Sequence, residues 1–93
     1  MNHELAGAED VVVGRSKKSD IRVQDARVST KHCTYSRQLL RNGDVAVSIE
    51  DQGSSNGTFV NGRKLVKWRK RQLHNGDEVS ANVFKVNNSN LND

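Results

Sequence analysis

The chain has 93 residues, one third of them hydrophobic and 4% aromatic, and a formal charge of +4. That length holds one domain with a modest core, and no run approaches the roughly 18 apolar residues of a membrane span or the apolar stretch of a signal peptide after Met1. The single cysteine, Cys33, excludes an internal disulfide and points to a reducing, intracellular compartment. The positive charge favours an acidic partner, which means phosphate groups, nucleic acid or acidic peptide, without choosing among them.

Residues 1–10 show no clear period and are expected to form a flexible terminus or a short first strand, with a pairing near Leu5. Val11-Val12-Val13 is a continuous apolar run that stops at Gly14-Arg15, the pattern of a buried strand entering a loop. After the polar stretch Ser16 to Asp20, Ile21 and Val23 alternate with polar neighbours and predict a short strand over 20–23. Gln24 to Lys31 reads as a loop. A strand is predicted from His32 to Leu40, with Cys33, Tyr35 and Leu39 facing inward. Asn42-Gly43-Asp44 turns the chain. Val45, Val47 and Ile49 then alternate with Ala46, Ser48 and Glu50, which marks a half-buried strand.

The stretch Gly53 to Gly62, GSSNGTFVNG, opens with residues suited to tight turns, because Gly and Asn tolerate positive φ and short hydroxyl side chains bond nearby backbone. Thr58 to Val60 reads as a strand, Asn61-Gly62 as a type I′ turn, and Arg63 to Val66 as the returning strand. A polar loop therefore sits directly on a rigid hairpin, a common way to build a binding loop. The basic connection Lys67 to Arg71 follows, and Gln72 to His74 leads into the turn Asn75-Gly76-Asp77. Strands are predicted over 78–80 and 83–86, and residues 87–93 form a polar tail. Short strands with turn signals at roughly 8–12-residue spacing, and no amphipathic helix, predict an all-β sandwich of two packed, mainly antiparallel sheets over residues 11–86.

Three polar loops carry the chemistry: 14–19 with Arg15 and Lys17, 27–32 with Arg27, Ser29, Thr30 and Lys31, and 53–57 with Ser54, Ser55 and Asn56. If the sandwich brings them to one end, they supply guanidinium, ammonium, hydroxyl and amide donors around one spot, an inventory that suits a phosphate. The same residue types also make ordinary solvated loops.

The order Gly14-Arg15, then Ser29-x-x-His32, then Ser55-Asn56-Gly57-Thr58 with Asn61-Gly62, resembles the forkhead-associated (FHA) domain. The likeness runs from about Val11 to Val86, and its pieces are specific because they occur together in the expected order. The resemblance implies a β-sandwich that binds phosphothreonine peptides through loops at one end. It assigns the phosphate to Arg15, with the hydroxyl of Ser29 donating to it and Ser55 close by. Asn56 would bond the peptide backbone on both sides of the phosphothreonine. Thr30 stands where relatives often carry Lys or Asn, so it would donate a hydroxyl, with Lys17 and Lys31 as additional phosphate contacts. Arg27 would favour an acidic residue three positions after the phosphothreonine. Gly14, Gly57, Asn61 and Gly62 would serve backbone geometry, and His32 would brace the loops from within. The phrasing around Asn61 to Leu65 and Asn75 to Glu78 is similar to FHA domains attached to fungal checkpoint and meiotic protein kinases, which implies a nuclear setting. Relatives usually have a strand well before the Gly-Arg loop. Only Met1 to Asp10 is available for it here, an arrangement expected to weaken the sheet holding 83–86.

Competing readings are an enzyme, a nucleic-acid binder and a phosphate-independent protein-interaction domain. A catalytic group could be imagined from Ser29, His32 and Asp51, but no Gly-x-Ser-x-Gly elbow, Cys-x-x-Cys pair or Walker loop is present. No catalytic residue, metal or cofactor is therefore expected. The strip 63–71 holds Lys64, Lys67, Arg69, Lys70 and Arg71 around Trp68, a backbone-plus-stacking surface in principle. The expected partner is a phosphothreonine-bearing protein, in trans, on the same chain or on a second copy, with no membrane.

Overall fold

In the computed structural model, which describes residues 8–81 and 83–87, nine strands form two packed sheets. Strands β1 (Ala8–Gly14), β2 (Ile21–Arg22), β3 (Cys33–Leu39), β4 (Val45–Asp51) and β7 (Arg71–Leu73) make one, in the order β2-β1-β3-β4-β7. Strands β5 (Phe59–Val60), β6 (Arg63–Lys64), β8 (Glu78–Ala81) and β9 (Phe84–Asn87) make the other, in the order β6-β5-β8-β9. Adjacent strands are antiparallel except β1 and β2, where Val13 lies opposite Ile21 in parallel register. The chain between these two strands must double back over the sheet end, and this is where Arg15 is carried.

The period-2 alternation of the strands sends one set of side chains inward. Val13, Cys33, Ile49 and Leu73 from the first sheet meet Val60 and Val79 from the second and Leu65 just beyond β6, with Val23, Tyr35, Val47 and Phe84 packed against them. Ile49 is fully buried, and a side chain of that size contributes about 1.5–3 kcal/mol by leaving water. The aromatic ring of Phe84 meets that of His32 edge-on, with centroids 6.2 Å apart, so the core reaches up to the loop end. Along the flank, Val11, Val13, Ile21, Val23, Tyr35, Phe84 and Val86 line a wholly apolar groove of about 360 Å³ that holds no phosphate chemistry.

Several boundaries differ from those read in the sequence. The strand expected from His32 to Leu40 covers Cys33 to Leu39, and Leu39 is 46% exposed rather than inward. Cys33, Tyr35, Arg37 and Leu39 do share a face, but the contribution of β3 to the core ends at Tyr35, since Arg37, opposite Val47, is already exposed. The returning hairpin strand stops at Lys64; Leu65 turns into the core while Val66 is 63% exposed. The strand near Ile21 is only two residues long, and Ile21 itself is 51% exposed. Strand β7 was not expected, because Leu73 is its one apolar residue; its pairing with Val47, far away in sequence, decides its conformation. The expected pairing near Leu5 and residues 88–93 of the expected tail lie outside the described residues.

Candidate functional site

The strand ends leave three loops at one end of the sandwich, and hydrogen bonds lace them together. Arg15 and Ser16 donate their amides to the carbonyls of Ser29 and Thr30, at 3.0 and 3.1 Å. A β-carbon at Gly14 would lie 2.2 Å from the Thr30 carbonyl oxygen, so only glycine permits this approach. The Ser55 amide donates to Ser29 Oγ at 2.9 Å, and Asn56 Nδ2 donates to the Arg27 carbonyl at 2.8 Å.

Between the loops lies a cleft of about 370 Å³ lined by Arg15, Ala26, Arg27, Val28, Ser29, Thr30, Lys31 and Ser55. Arg15 Nε donates to the Val28 carbonyl at 2.9 Å, which fixes the guanidinium. Its two terminal nitrogens remain for a planar, two-pronged bond to an oxyanion. Ser29 Oγ, by accepting from Ser55, keeps its own hydrogen free to donate. With Thr30 and Lys31 on the same lining, the cleft gathers two kinds of cation and three hydroxyls on a fixed frame.

Two buried polar groups hold that frame. His32 is fully buried; Nδ1 accepts the Ser29 amide at 3.2 Å and Nε2 donates to the Gly57 carbonyl at 3.0 Å. One imidazole thus ties the second loop to the third. Asp51 is equally buried, and its carboxylate accepts from Ser54 Oγ (2.6 Å), Thr58 Oγ1 (2.7 Å), and the amides of Ser54 (3.0 Å) and Gly53 (3.1 Å). Ser54 Oγ in turn accepts the Gly57 amide at 3.0 Å. Burial raises the Asp51 pKa, but the bonds from Ser54 and Thr58 outweigh it and hold the carboxyl below the ordinary carboxylate range. Sequence reading missed this role for Asp51 and Ser54. The only signal was an acidic residue ending a strand just before a Gly-Ser run.

The imagined catalytic group does not assemble. Both His32 nitrogens are bonded to backbone groups, and Asp51 is bonded to Ser54 and Thr58. Cys33 is a core residue whose thiol burial pushes up to about 12, with Asp51 adding to the effect. No group of three or more His, Cys, Asp or Glu residues able to hold a metal occurs among the described residues. None of their helices is long and apolar enough to cross a membrane.

The remaining candidates fall in different places. Arg27 lines the cleft, but its Nε and Nη2 both donate to the Asp25 carboxylate at 3.0 Å. The Arg27 side chain and backbone bonds hold the Asp25 carboxyl down at about 2 and raise the Arg27 pKa. Lys17 and Asn56 are both exposed and outside the cleft lining, although Asn56 is bonded to the Arg27 carbonyl. Asn61 (φ 52°) and Gly62 (φ 82°) form the hairpin turn, and Gly57 has φ 89° with the Lys64 stem against it. The basic strip is exposed from Arg63 to Lys64 and from Val66 to Lys70, while Arg71 is half-buried in β7. Trp68 is 64% exposed, and its ring leans over Gly53.

The family model for the FHA domain matches residues 11–81. The chain belongs to the FHA domain family. It is 41% identical over 75 residues to the probable serine/threonine-protein kinase fhkA of Dictyostelium discoideum, a match covering 76% of this chain and 12% of that protein. It is 35% identical over 82 residues to an oxoglutarate dehydrogenase inhibitor of Corynebacterium jeikeium, covering 88% of this chain and 51% of that protein. The chain thus spans about half or less of these relatives. Among solved structures, it superimposes on the N-terminal FHA domain of S. cerevisiae Rad53 in complex with a phosphothreonine peptide, with a TM-score of 0.62 at 30% identity. That match covers 81% of this chain and 57% of the Rad53 one. The MEK1 FHA domain gives a TM-score of 0.71 at 24% identity, covering 80% of this chain and 62% of the other, a likeness of fold. These matches bear out the FHA resemblance and the two-sheet β-sandwich read in the sequence.

Proposed function

We propose that this FHA domain is a non-catalytic module that binds phosphothreonine on a partner protein, on its own polypeptide or on a second copy. The observation that carries the reading is the fixed Arg15 fork beside the oriented Ser29 hydroxyl, in the cleft that the three loops enclose. A phosphate adds about −1.5 to −2 charge and three acceptor oxygens, and preformed donors capture both without reorganising. Thr30, Lys31 and Ser55 supply further donors, and Asn56, whose Oδ1 is not used in the loop lacing, accepts a peptide amide. Ala26 is the exposed apolar member of the lining, above the buried Val28, and offers a surface for the threonine methyl, worth about 0.8 kcal/mol by area. Arg27 selects an acidic residue three positions after the phosphothreonine once it parts from Asp25. With so few bonds and so small a surface, affinity is roughly micromolar.

The similarity to a probable serine/threonine-protein kinase of Dictyostelium supports a parent protein with kinase activity, and the nuclear checkpoint setting proposed with it rests on the resemblance of the motifs at Asn61 to Leu65 and Asn75 to Glu78. Fractionation of cells expressing the tagged full-length protein tests the location. Calorimetric titration with one peptide in phosphothreonine, phosphoserine and unmodified forms tests the central reading. Binding of the phosphothreonine form alone supports it; no binding of any form by the folded domain refutes it.

A further inference from the structure

A second recess, with polar and basic residues among its lining, adjoins the first. It measures about 310 Å³ and is lined by Val12, Ser16, Lys18, Ser19, Thr30 and Lys31. Thr30 and Lys31 line both recesses, so the two share a wall two residues thick.

The far side of this recess is a built loop. Ser16 donates its amide to Thr30, the Lys18 amide donates to Ser16 Oγ at 3.1 Å, and the Ser19 amide donates to the Ser16 carbonyl at 3.0 Å. Ser19 Oγ is buried and has no hydrogen-bond partner, which in a folded protein calls for an explanation. Lys18 and Lys31 are both exposed, and neither forms an ion pair among the described residues. The adjacent carboxylate, Asp20, accepts the Val12 amide at 2.8 Å through Oδ2 and does not join the lining. Lys18 and Lys31, with the hydroxyl-bearing Ser16 and Thr30, therefore line one small space, and the unpaired Ser19 hydroxyl is buried in the same lining. That is the donor set of an anion site.

We propose that this recess is a second anion subsite, which takes the phosphate or carboxylate of another side chain on the peptide whose phosphothreonine occupies the first cleft. The inference rests on the phosphothreonine reading above. The shared wall explains how one short peptide reaches both: its chain crosses over Thr30 and Lys31, with one anionic side chain descending on each side. The domain then responds most strongly to a clustered pair of negative charges.

The test is calorimetry at 0.15 M NaCl with peptides carrying one fixed phosphothreonine and a phosphoserine or glutamate placed in turn at each flanking position. One position is expected to raise affinity about tenfold over the singly phosphorylated peptide. Gain with phosphoserine alone identifies a second phosphate as the ligand, and equal gain with glutamate identifies a carboxylate. Either gain disappears in Lys18→Ala and in Ser19→Ala, both of which bind the singly phosphorylated peptide as the native domain does. The proposal is overturned if no position gives a gain, or if the gain is spread evenly over positions and survives both substitutions, the mark of diffuse attraction. Absence of binding by the singly phosphorylated peptide is a separate result: it refutes the primary reading and removes the second subsite with it.

Discussion

Ser29 Oγ accepts the backbone amide of Ser55 at 2.9 Å across 26 positions of sequence, so the hydroxyl aimed into the cleft is also the clasp between two of its loops. Replacing Ser29 by Ala removes a donor and the clasp together. The expected result is a folded domain whose affinity for the phosphothreonine peptide falls about tenfold, the equivalent of one hydrogen bond to a charged group. Ser29→Thr retains the hydroxyl and is expected to recover part of the loss, which titration of both variants measures.

Arg15 is held through Nε by the Val28 carbonyl at 2.9 Å. A lysine has a single nitrogen and cannot bond Val28 while presenting a fork to the phosphate. Arg15→Lys is therefore expected to lose nearly as much as Arg15→Ala, on the order of 100-fold for two charge-assisted bonds. Binding within a few-fold of the native domain in Arg15→Lys would reduce Arg15 to a diffuse positive charge.

The pairing of Arg27 with Asp25 sets up competition for the guanidinium. Exposed ion pairs are weak, so an acidic peptide residue can displace Asp25. Asp25→Asn keeps an oxygen for the Arg27 amide, which Asp25 Oδ1 now accepts at 2.9 Å, but removes the competing charge. The preference for Asp over Ala three positions after the phosphothreonine is expected to increase a few-fold in this variant. An unchanged preference would separate Arg27 from that selectivity.

Acid weakens the fold through Asp51. Its pKa is lowered in the folded state, so the stability it contributes is complete above the unfolded value near 3.8 and is lost as pH falls from there through the folded value. Urea unfolding midpoints are expected to stay level through this contribution down to about pH 5 and to fall below about pH 4. Asp51→Asn turns two of four accepting contacts into donor against donor. It should lower stability at pH 7 and flatten the acid limb.

The Asn61 side chain joins the hairpin turn to β8, donating to Asp77 Oδ1 at 3.0 Å and accepting the Glu78 amide at 2.9 Å, with its own φ at 52°. Asn61→Ala loses both bonds and the residue type that tolerates this backbone. A loss of about 1–2 kcal/mol is expected, or about 4–16 °C in melting temperature for a domain of this size. Phosphopeptide affinity at 15 °C should change little.

Local rules determine what the sequence alone revealed. Alternation placed Val47 and Ile49 inward on β4, and the Asn61-Gly62 and Asn75-Gly76 pairs fixed turns, because side-chain direction and positive φ are properties of a few adjacent residues. The motif Ser55-Asn56-Gly57-Thr58, spaced from Gly14-Arg15 and Ser29, was enough to expect an FHA sandwich and a loop cluster at one end. The tertiary structure decided matters that depend on distant partners. Strand β7 exists because Leu73 finds Val47, and Leu39 is exposed because the buried part of β3 stops at Tyr35. Asp51 became the anchor of the third loop because four donors converge on a buried carboxylate, and Arg27 was claimed by Asp25 through a fork geometry that spacing alone does not specify. Periodicity and turn chemistry are written residue by residue; burial and pairing arise only when the two sheets close on each other.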